Sequence, residues 1–196
     1  MSPRTPDQYK EIRSEKIKLI SEAALTLFAD KGYANTSISM IAKKAGISKG
    51  LLYNYFESKD ELLESILQIG FEEINEIYDL NKDGELEIHE MEYFIREIFN
   101  RIKANTNFWK LYFQVSIQPD VIDKLQVKMK EMIITFMHSL MRYFHNMGFK
   151  NPQVEAVMFG SLLDGITFNY VLNPAMFPID EIVEEIIQKY CKKPAS

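Results

Sequence analysis

Residues 35–63 read NTSISMIAKKAGISKGLLYNYFESKDELL and predict two short helices joined by a sharp turn. The pair Thr36–Ser37 supplies two residue types that cap helix N-termini, and Ala45–Gly46 is typical of a helix end. Ser48 can then cap a second helix over residues 49–55. Two helices arranged in this way form a helix-turn-helix, in which the first helix braces the second one.

The apolar residues of the two helices indicate which sides face each other. Ile38, Ile41 and Ala42 share an inward face on the first helix. Leu52 and Phe56 face back to it from the second helix. The residues left outside on the second helix are Lys49, Leu51, Asn54 and Tyr55.

A longer pattern surrounds these helices. Its residues are Gly32-Tyr33, Thr36, Ile41-Ala42, Ala45-Gly46-Ile47-Ser48, Lys49-Gly50, Leu52-Tyr53, Tyr55-Phe56, Lys59 and Leu62. The pattern resembles the DNA-binding signature of TetR-type transcriptional regulators, and it spans about 30 residues without a gap. It covers the N-terminal third of the chain, whereas the remainder resembles that family only in length and helical architecture.

The resemblance implies two kinds of DNA contact. Residues that match phosphate-holding positions are Thr36, Tyr53, Tyr55 and Lys59. Residues on the groove-facing surface are Ser48, Lys49, Gly50, Leu51 and Asn54. Gly50 is small where the groove leaves little room, and the amide of Asn54 can pair with adenine. Core packing is the alternative for Tyr53, while Lys43 and Lys44 are either neighbours of phosphates or solvated lysines.

Helical periodicity dominates the chain, and no credible alternating strand is present. We therefore expect an all-α protein of about nine helices. Residues 1–58 form a three-helix helix-turn-helix head for binding DNA, and residues 59–196 form a helical bundle for effector binding and dimerisation. The helix that begins at Lys59 would then join the two parts as a lever.

The charge of the chain is unevenly distributed. The formal net charge is −5, but residues 1–60 hold 10 Lys/Arg against 7 Asp/Glu, so that only this part suits a polyanion. Cys191 is the single cysteine, which excludes a disulfide framework and suits a reducing compartment. No uncharged apolar run approaches the roughly 18 residues of a membrane span. We expect a cytoplasmic protein without a membrane partner.

A DNA reader of this class needs two half-sites, so we expect a homodimer on a pseudo-palindromic double-stranded operator. Small residues interrupt a bulky apolar helix over 156–170, which would let another helix approach closely. The last helix carries isoleucines on one face. The candidate interface residues are Ala156, Gly160, Ile182 and Ile186. Packing within the chain is the alternative for these faces.

Aromatic and methionine residues are concentrated in 108–117 and 132–147, which suits an adaptable apolar cavity. The candidate effector residues are Trp109, Tyr112, Phe113, Met132, Phe136, Phe159, Leu163 and Asp164. Plain core packing is the alternative for the apolar ones. Asp164 would meet a cationic effector, a donor of the partner chain or a neighbouring helix. The whole pattern predicts a ligand-responsive transcriptional regulator, most simply a repressor released by a small, largely apolar effector.

Residues 79–90, DLNKDGELEIHE, resemble a single calcium-binding EF-hand loop. The candidate ligands are Asp79, Asn81, Asp83, Glu85 through its carbonyl, and Glu90. Gly84 occupies the sharp-turn position, and water near Glu87 would complete the ligands. A polar link between two helices is the alternative, because such links also favour Asp, Asn and Gly. No cofactor is required, and calcium remains an alternative input.

Catalysis has little support in the sequence. The only histidines are His89, His138 and His145, and the pair His138 and His145 lacks an evident third metal ligand. Neither a nucleophile motif nor a glycine-rich phosphate loop is present. We therefore expect no catalytic residues and a protein that is not an enzyme.

Overall fold

The computed structural model describes residues 6–78 and 80–193, apart from the side chains of residues 6, 7, 9, 125, 126, 128 and 129. This described part contains nine α-helices, one 3-10 helix and no strand, which confirms the all-α prediction. The α-helices are α1 (Pro6–Lys31), α2 (Ile38–Lys44), α3 (Lys49–Tyr53), α4 (Lys59–Tyr78), α5 (Ile88–Ala104), α6 (Thr106–Ser116), α7 (Pro119–Asn146), α8 (Pro152–Leu172) and α9 (Ile179–Tyr190). The 3-10 helix covers Pro174–Met176, between α8 and α9.

The chain forms two compact units, each built from two stretches of sequence. Unit 1 comprises the residues up to Ile69 together with Leu111–Leu125, and unit 2 comprises Gly70–Lys110 together with the residues from Gln126 onward. The compact unit that contains the helix-turn-helix therefore extends beyond the boundary expected at residue 58. It takes in the first half of α4 and the corner between α6 and α7, because a three-helix head alone offers too little apolar surface for a full core.

In unit 1, α2 packs on both α1 and α3. Ile20, Ile41 and Leu52, one residue from each helix, have no solvent-exposed surface. Phe28 of α1 packs edge-to-face on Tyr33, with 5.1 Å between the ring centres. Burying a side chain of this size stabilises a fold by about 1.5–3 kcal/mol relative to leaving it exposed. These contacts hold the two helices of the helix-turn-helix on the long first helix.

In unit 2, α5 packs on α8 and α9. An aromatic cluster joins α7, α8 and α9. The centre of the Tyr190 ring lies 5.1 Å from the ring centre of Phe159 and 5.7 Å from that of Phe144. The hydroxyl of Tyr143 donates to the carbonyl of Tyr190 at 2.8 Å. Among the described helices, none is both long enough and apolar enough to cross a membrane.

Candidate nucleic-acid interface and associated sites

The corner between α2 and α3 forms as the sequence predicts. The hydroxyl oxygen of Ser37 accepts a hydrogen bond from the backbone N–H of Met40, and that of Ser48 accepts one from Leu51. Gly46 follows α2 with φ +66°, in the left-handed region that favours glycine. The N–H of Ile47 then donates to the carbonyl of Ala42 at 3.0 Å, which closes the end of α2. Local capping thus fixes the direction in which α3 leaves the turn.

The outer face of α3 is exposed. Lys49, Gly50 and Asn54 are exposed, Leu51 is half-buried, and Leu52 points into the core with no exposed surface. A Cβ added at Gly50 would meet no atom within 4 Å, so packing within the chain does not require a residue this small here. Ser48 is exposed as well, beside its cap. All five predicted groove-facing residues therefore lie on α3 or at its caps, and none of them is buried.

Tyr53 and Tyr55, two of the residues predicted to contact phosphate, each lie near a cationic side chain. The ring of Tyr53 is 45% exposed, and the ammonium of Lys49 lies 5.8 Å from its centre. The guanidinium of Arg13 lies 5.2 Å from the centre of the half-buried Tyr55 ring. Sequence reasoning missed Arg13, because a basic residue on a long amphipathic helix carries no signal of what it will contact.

Thr36 and Lys59, the other two predicted phosphate contacts, are engaged within unit 1. Thr36 is buried, and its hydroxyl donates to the carbonyls of Leu27 and Gly32. The ammonium of Lys59 donates to the carbonyls of Tyr33 at 2.8 Å and Ala34 at 3.4 Å. Both side chains hold the turn between α1 and α2 in this structure. Their contacts with phosphate stay a prediction.

Tyr33 is the centre of this turn. Its hydroxyl donates to the carboxylate of Asp60, and Lys124 of α7 lies 2.6 Å from the same carboxylate. The hydrogen bonds from Lys124 and Tyr33 lower the pKa of Asp60. Burial, followed by the bond to the Asp60 carboxylate, raises the pKa of Tyr33 above its ordinary range. Both groups therefore keep the protonation states that this contact needs.

Gln118 also holds the turn and was missed by sequence reasoning. Its amide oxygen accepts from the backbone N–H of Tyr33 at 2.7 Å, and its amide nitrogen donates to the carbonyl of Phe28 at 2.8 Å. One signal was available: Gln118 immediately precedes α7, where glutamine is not a favoured cap. A residue that caps a helix poorly can indicate that its side chain binds a different part of the chain.

The eight candidate effector residues are divided between the units. Tyr112 and Phe113 belong to unit 1, where the hydroxyl of Tyr112 donates to the carbonyl of Leu67 at 3.2 Å. The members in unit 2 are Trp109, Met132, Phe136, Phe159, Leu163 and Asp164. Trp109, Phe159 and Leu163 are buried, and Asp164 lies on the exposed side of α8. Partial desolvation there still raises the pKa of the Asp164 carboxyl.

Phe136 is half-buried and packs against two aromatic rings within unit 2. The centre of its ring lies 5.2 Å from the ring centre of Tyr78 and 5.7 Å from that of Phe94. Unit 2 also has a surface groove of about 560 Å³, which contains none of the candidate effector residues. The residues lining the groove are Leu86, Glu87, Ile88, His89, Glu92, Tyr143, Asn146, Met147 and Lys193.

The four candidate dimer residues differ in how deeply they are buried. Ala156 and Ile186 are buried within the chain itself, which is the intrachain packing left open above. Gly160 and Ile182 are half-buried. The outer side of α8 instead exposes large apolar side chains, which are Val154, Val157, Met158, Phe168 and Leu172. Any helix that packs on α8 from outside would meet these residues rather than Ala156.

Residues 80–87 form a loop between α4 and α5 that is held by short-range hydrogen bonds, and Asp79 lies outside the described residues. The N–H of Asp83 donates to the side-chain oxygen of Asn81 at 3.0 Å, and that of Glu85 donates to Asp83 at 2.8 Å. Gly84 has φ +82°, as the sharp-turn position requires. The buried Glu90 accepts from the N–H of Glu87 at 3.0 Å, which forms a capping box for α5.

These hydrogen bonds are compatible both with a calcium-binding loop and with a plain polar link between two helices. Within the part of the chain that the structure describes, no three His, Cys, Asp or Glu side chains are grouped so that they could hold a metal ion. Calcium binding therefore stays a prediction.

Comparison with known proteins identifies the region around the helix-turn-helix. Residues 20–66 match the family model described as bacterial regulatory proteins, tetR family. An uncharacterised HTH-type transcriptional regulator of Bacillus subtilis, YuxN, is 60% identical over 53 residues, which are 27% of this chain and 18% of that protein. The negative transcriptional regulator IcaR of Staphylococcus aureus is 31% identical over 102 residues, or 52% of this chain and 54% of IcaR. The chain thus spans between about a fifth and about half of the length of the curated relatives it matches.

The likeness in fold extends over most of the chain. The transcriptional regulator FadR of Bacillus subtilis, solved in complex with stearoyl-CoA, superposes with a TM-score of 0.66 at 17% identity. The match covers 91% of this chain and 99% of that one. It therefore includes the helices that follow the helix-turn-helix as well as the helix-turn-helix itself.

Proposed function

We propose that this chain, whose residues 20–66 match the family model of tetR-type bacterial regulatory proteins, is a homodimeric repressor released from a pseudo-palindromic operator by a small, largely apolar effector. The observation that carries the proposal is the outer face of α3, where Lys49 and Asn54 are exposed beside a glycine with open space above it. Asn54 can pair with adenine, and Lys49 can reach guanine or phosphate. The sequence-related IcaR is itself described as a negative regulator.

Dimerisation is supported by the outer side of α8. Five large apolar side chains are exposed there, and a Cβ added at Gly160 or Gly165 would meet no atom within 4 Å. A second helix can therefore approach closely between the larger residues. Two copies related by a two-fold axis would supply the two α3 helices that a pseudo-palindromic operator requires.

An apolar effector is supported by the aromatic and methionine content of α6 and α7, and by the acyl-CoA found in the FadR structure with the same fold. The proposed mechanism is linkage between two binding events. An effector that prefers the arrangement with poorly spaced heads weakens operator binding by its difference in affinity for the two arrangements, commonly about 1–3 kcal/mol.

The experiment begins with selection of duplexes from a random-sequence DNA library by the full chain. We expect a palindromic consensus, and an affinity that falls steeply with salt because each phosphate contact releases counterions. The double variant Lys49→Ala/Asn54→Ala is expected to enrich no consensus, whereas Lys150→Ala, an exposed lysine in unit 2, should enrich the wild-type sequence. If the wild-type chain enriches no sequence, DNA recognition by this chain is disproved.

Stearoyl-CoA is the first effector to test on the selected duplex, with free coenzyme A as the matched control. Because the proposed site is apolar, we expect the acyl compound to lower operator affinity by about 5- to 150-fold and coenzyme A to leave it unchanged. Binding of stearoyl-CoA without any change in operator affinity would refute acyl-CoA regulation, while leaving DNA recognition intact.

A calcium input through residues 79–90 is the second candidate. It is motivated by the resemblance of residues 79–90 to an EF-hand loop and by the left-handed Gly84 at the sharp-turn position. Since the loop directly follows α4, a bound ion would act on the helix that leaves the DNA-binding head. The same operator assay with and without calcium tests this input.

A further inference from the structure

Gln118 joins a corner of two helices to the turn that begins the helix-turn-helix. It lies between α6 and α7, and its amide makes two hydrogen bonds of 2.7 and 2.8 Å to the backbone of Tyr33 and Phe28. These partners are the last part of α1 and the turn after it, about 85–90 residues away in sequence. A single side chain therefore satisfies the backbone N–H of Tyr33 and adds a second hydrogen bond to the Phe28 carbonyl, which also accepts from the N–H of Gly32.

A second connection runs beside the first. Lys124, on the first turns of α7, forms an ion pair of 2.6 Å with Asp60, which also accepts from the Tyr33 hydroxyl. The ammonium of Lys124 lies 5.8 Å from the centre of the Tyr33 ring. The backbone and the side chain of Tyr33 are thus each bound to the start of α7, by Gln118 and through Asp60 respectively.

The position of this turn decides where α2 begins. The carbonyl of Tyr33 accepts from the N–H of Thr36 at 3.2 Å, and the Thr36 hydroxyl donates to the carbonyl of Gly32 at 2.9 Å. Ser37 follows as the cap of α2, and α2 in turn packs on α3. A shift of Tyr33 would therefore be passed through α2 to the face of α3 that the proposed function places on DNA.

We propose that Gln118 is a positioning residue for DNA recognition: it holds the Tyr33 turn, and with it α2 and α3, in the arrangement that reads the operator. The inference rests on the proposed function.

The test compares Gln118→Ala with Gln114→Ala, which removes an exposed glutamine side chain one turn earlier on α6. The first readout is hydrogen exchange of the Tyr33 amide in the full chain without DNA. We expect faster exchange in Gln118→Ala, because that amide loses its acceptor, and wild-type exchange in Gln114→Ala. Gln118→Glu keeps an acceptor for this amide but cannot donate to Phe28, so we expect an intermediate rate.

The second readout is the ratio of affinities for the duplex selected by the wild-type chain and for a random-sequence duplex of the same length. We expect Gln118→Ala to lower this ratio about tenfold, with an unchanged salt slope, because recognition is lost while the phosphate contacts remain. A loss of folding stability alone would lower both affinities together. If Gln118→Ala does not fold, Lys124→Met is measured by the same ratio and is expected to lower it.

The outcomes separate the two proposals. A wild-type chain that enriches no duplex overturns the proposed function and this inference with it. A wild-type chain that enriches a duplex, together with a Gln118→Ala variant that matches Gln114→Ala in both readouts, overturns the positioning role alone.

Discussion

The ammonium nitrogen of Lys59 lies 2.8 Å from the carbonyl oxygen of Tyr33 and 4.2 Å from the centre of the Tyr33 ring. One lysine therefore binds the turn before α2 both through a charge-assisted hydrogen bond and through its position over an aromatic face. This geometry gives Lys59 a role in stability that is independent of DNA.

The variant Lys59→Met measures that role. We expect it to lower the free energy of unfolding by about 1 kcal/mol, because the charged donor is lost while the aliphatic stem remains. Urea denaturation followed by circular dichroism measures the change. Lys44→Met, on an exposed lysine of α2, is the control and should change the free energy of unfolding by less than about 0.5 kcal/mol. Equal stability of the two variants would rule out the structural role.

Asn54 and Lys43 should affect DNA binding in different ways. We expect Asn54→Ala to cost about 1–3 kcal/mol on the selected operator and to relax the preference at one base pair, because a base contact is removed. Lys43→Ala should weaken binding to all duplexes and reduce the salt slope by about one, since a phosphate contact carries no sequence information. Repeated library selection and salt titration with each variant distinguish the two effects. The assignment fails if Asn54→Ala selects the wild-type consensus with undiminished strength.

The contact between Asp60 and Lys124 predicts a pH dependence of stability. The folded state lowers the pKa of Asp60, so the carboxylate stabilises the fold at every pH above its ordinary value of about 4. That stability is lost as the pH falls through the lower, folded value. We expect the melting temperature of the wild-type chain to exceed that of Asp60→Asn by a constant amount from pH 7 to about 5, and the difference to shrink below about pH 4. A difference that does not change down to pH 2.5 would contradict this role of the carboxylate.

The exposed side of α8 predicts the effect of a charge at Phe168, whose side chain is 43% exposed. If a second copy covers this face, Phe168→Glu buries an unpaired carboxylate in an apolar contact and should convert the dimer to monomers. Sedimentation velocity at micromolar concentration measures the change, and operator affinity should fall with it. Tyr93→Glu, which changes an exposed aromatic residue on α5, is the control and should leave the assembly state unaltered. A dimer that persists in Phe168→Glu would place the interface elsewhere.

The resemblance of residues 79–90 to a calcium-binding loop predicts an effect of calcium on the melting temperature. Because a ligand that binds only the folded state stabilises it, millimolar calcium should raise the melting temperature of the wild-type chain if the loop coordinates the ion. Asp79→Ala and Asp83→Ala should both abolish that rise. Magnesium at the same concentration is the control, since it demands a tighter octahedral site. An unmoved melting temperature in calcium would leave the loop as a helix link only.

The helix-turn-helix could be predicted because its determinants are local. Ser37 and Ser48 each cap a helix through an N–H three residues later, and Gly46 adopts the backbone conformation that few other residues allow. Sequence spacing alone contains this information. The periodicity of the remaining helices likewise predicted an all-α chain.

The hydrogen bonds from Gln118 that hold the turn at Tyr33 could not be predicted in the same way. Gln118 and Tyr33 are 85 residues apart, and neither belongs to a pattern that requires the other. Thr36 shows a related difficulty, because a threonine at this position fits both a phosphate contact and the buried hydrogen bonds that the structure contains. The sequence indicates residue types, whereas the choice between partners depends on tertiary packing.

The division of unit 1 into residues up to Ile69 and Leu111–Leu125 has a consequence for how such a protein can diversify. A DNA-reading head that is contiguous in the gene could be exchanged between regulators by a single crossover after residue 58. In this chain the same crossover would separate Tyr33 from both Gln118 and Asp60. Recombination would therefore have to replace the later segments as well, or the recipient would need its own amide before α7 and its own carboxylate at the start of α4. The proposed DNA-reading surface would consequently be exchanged only together with the corner between α6 and α7.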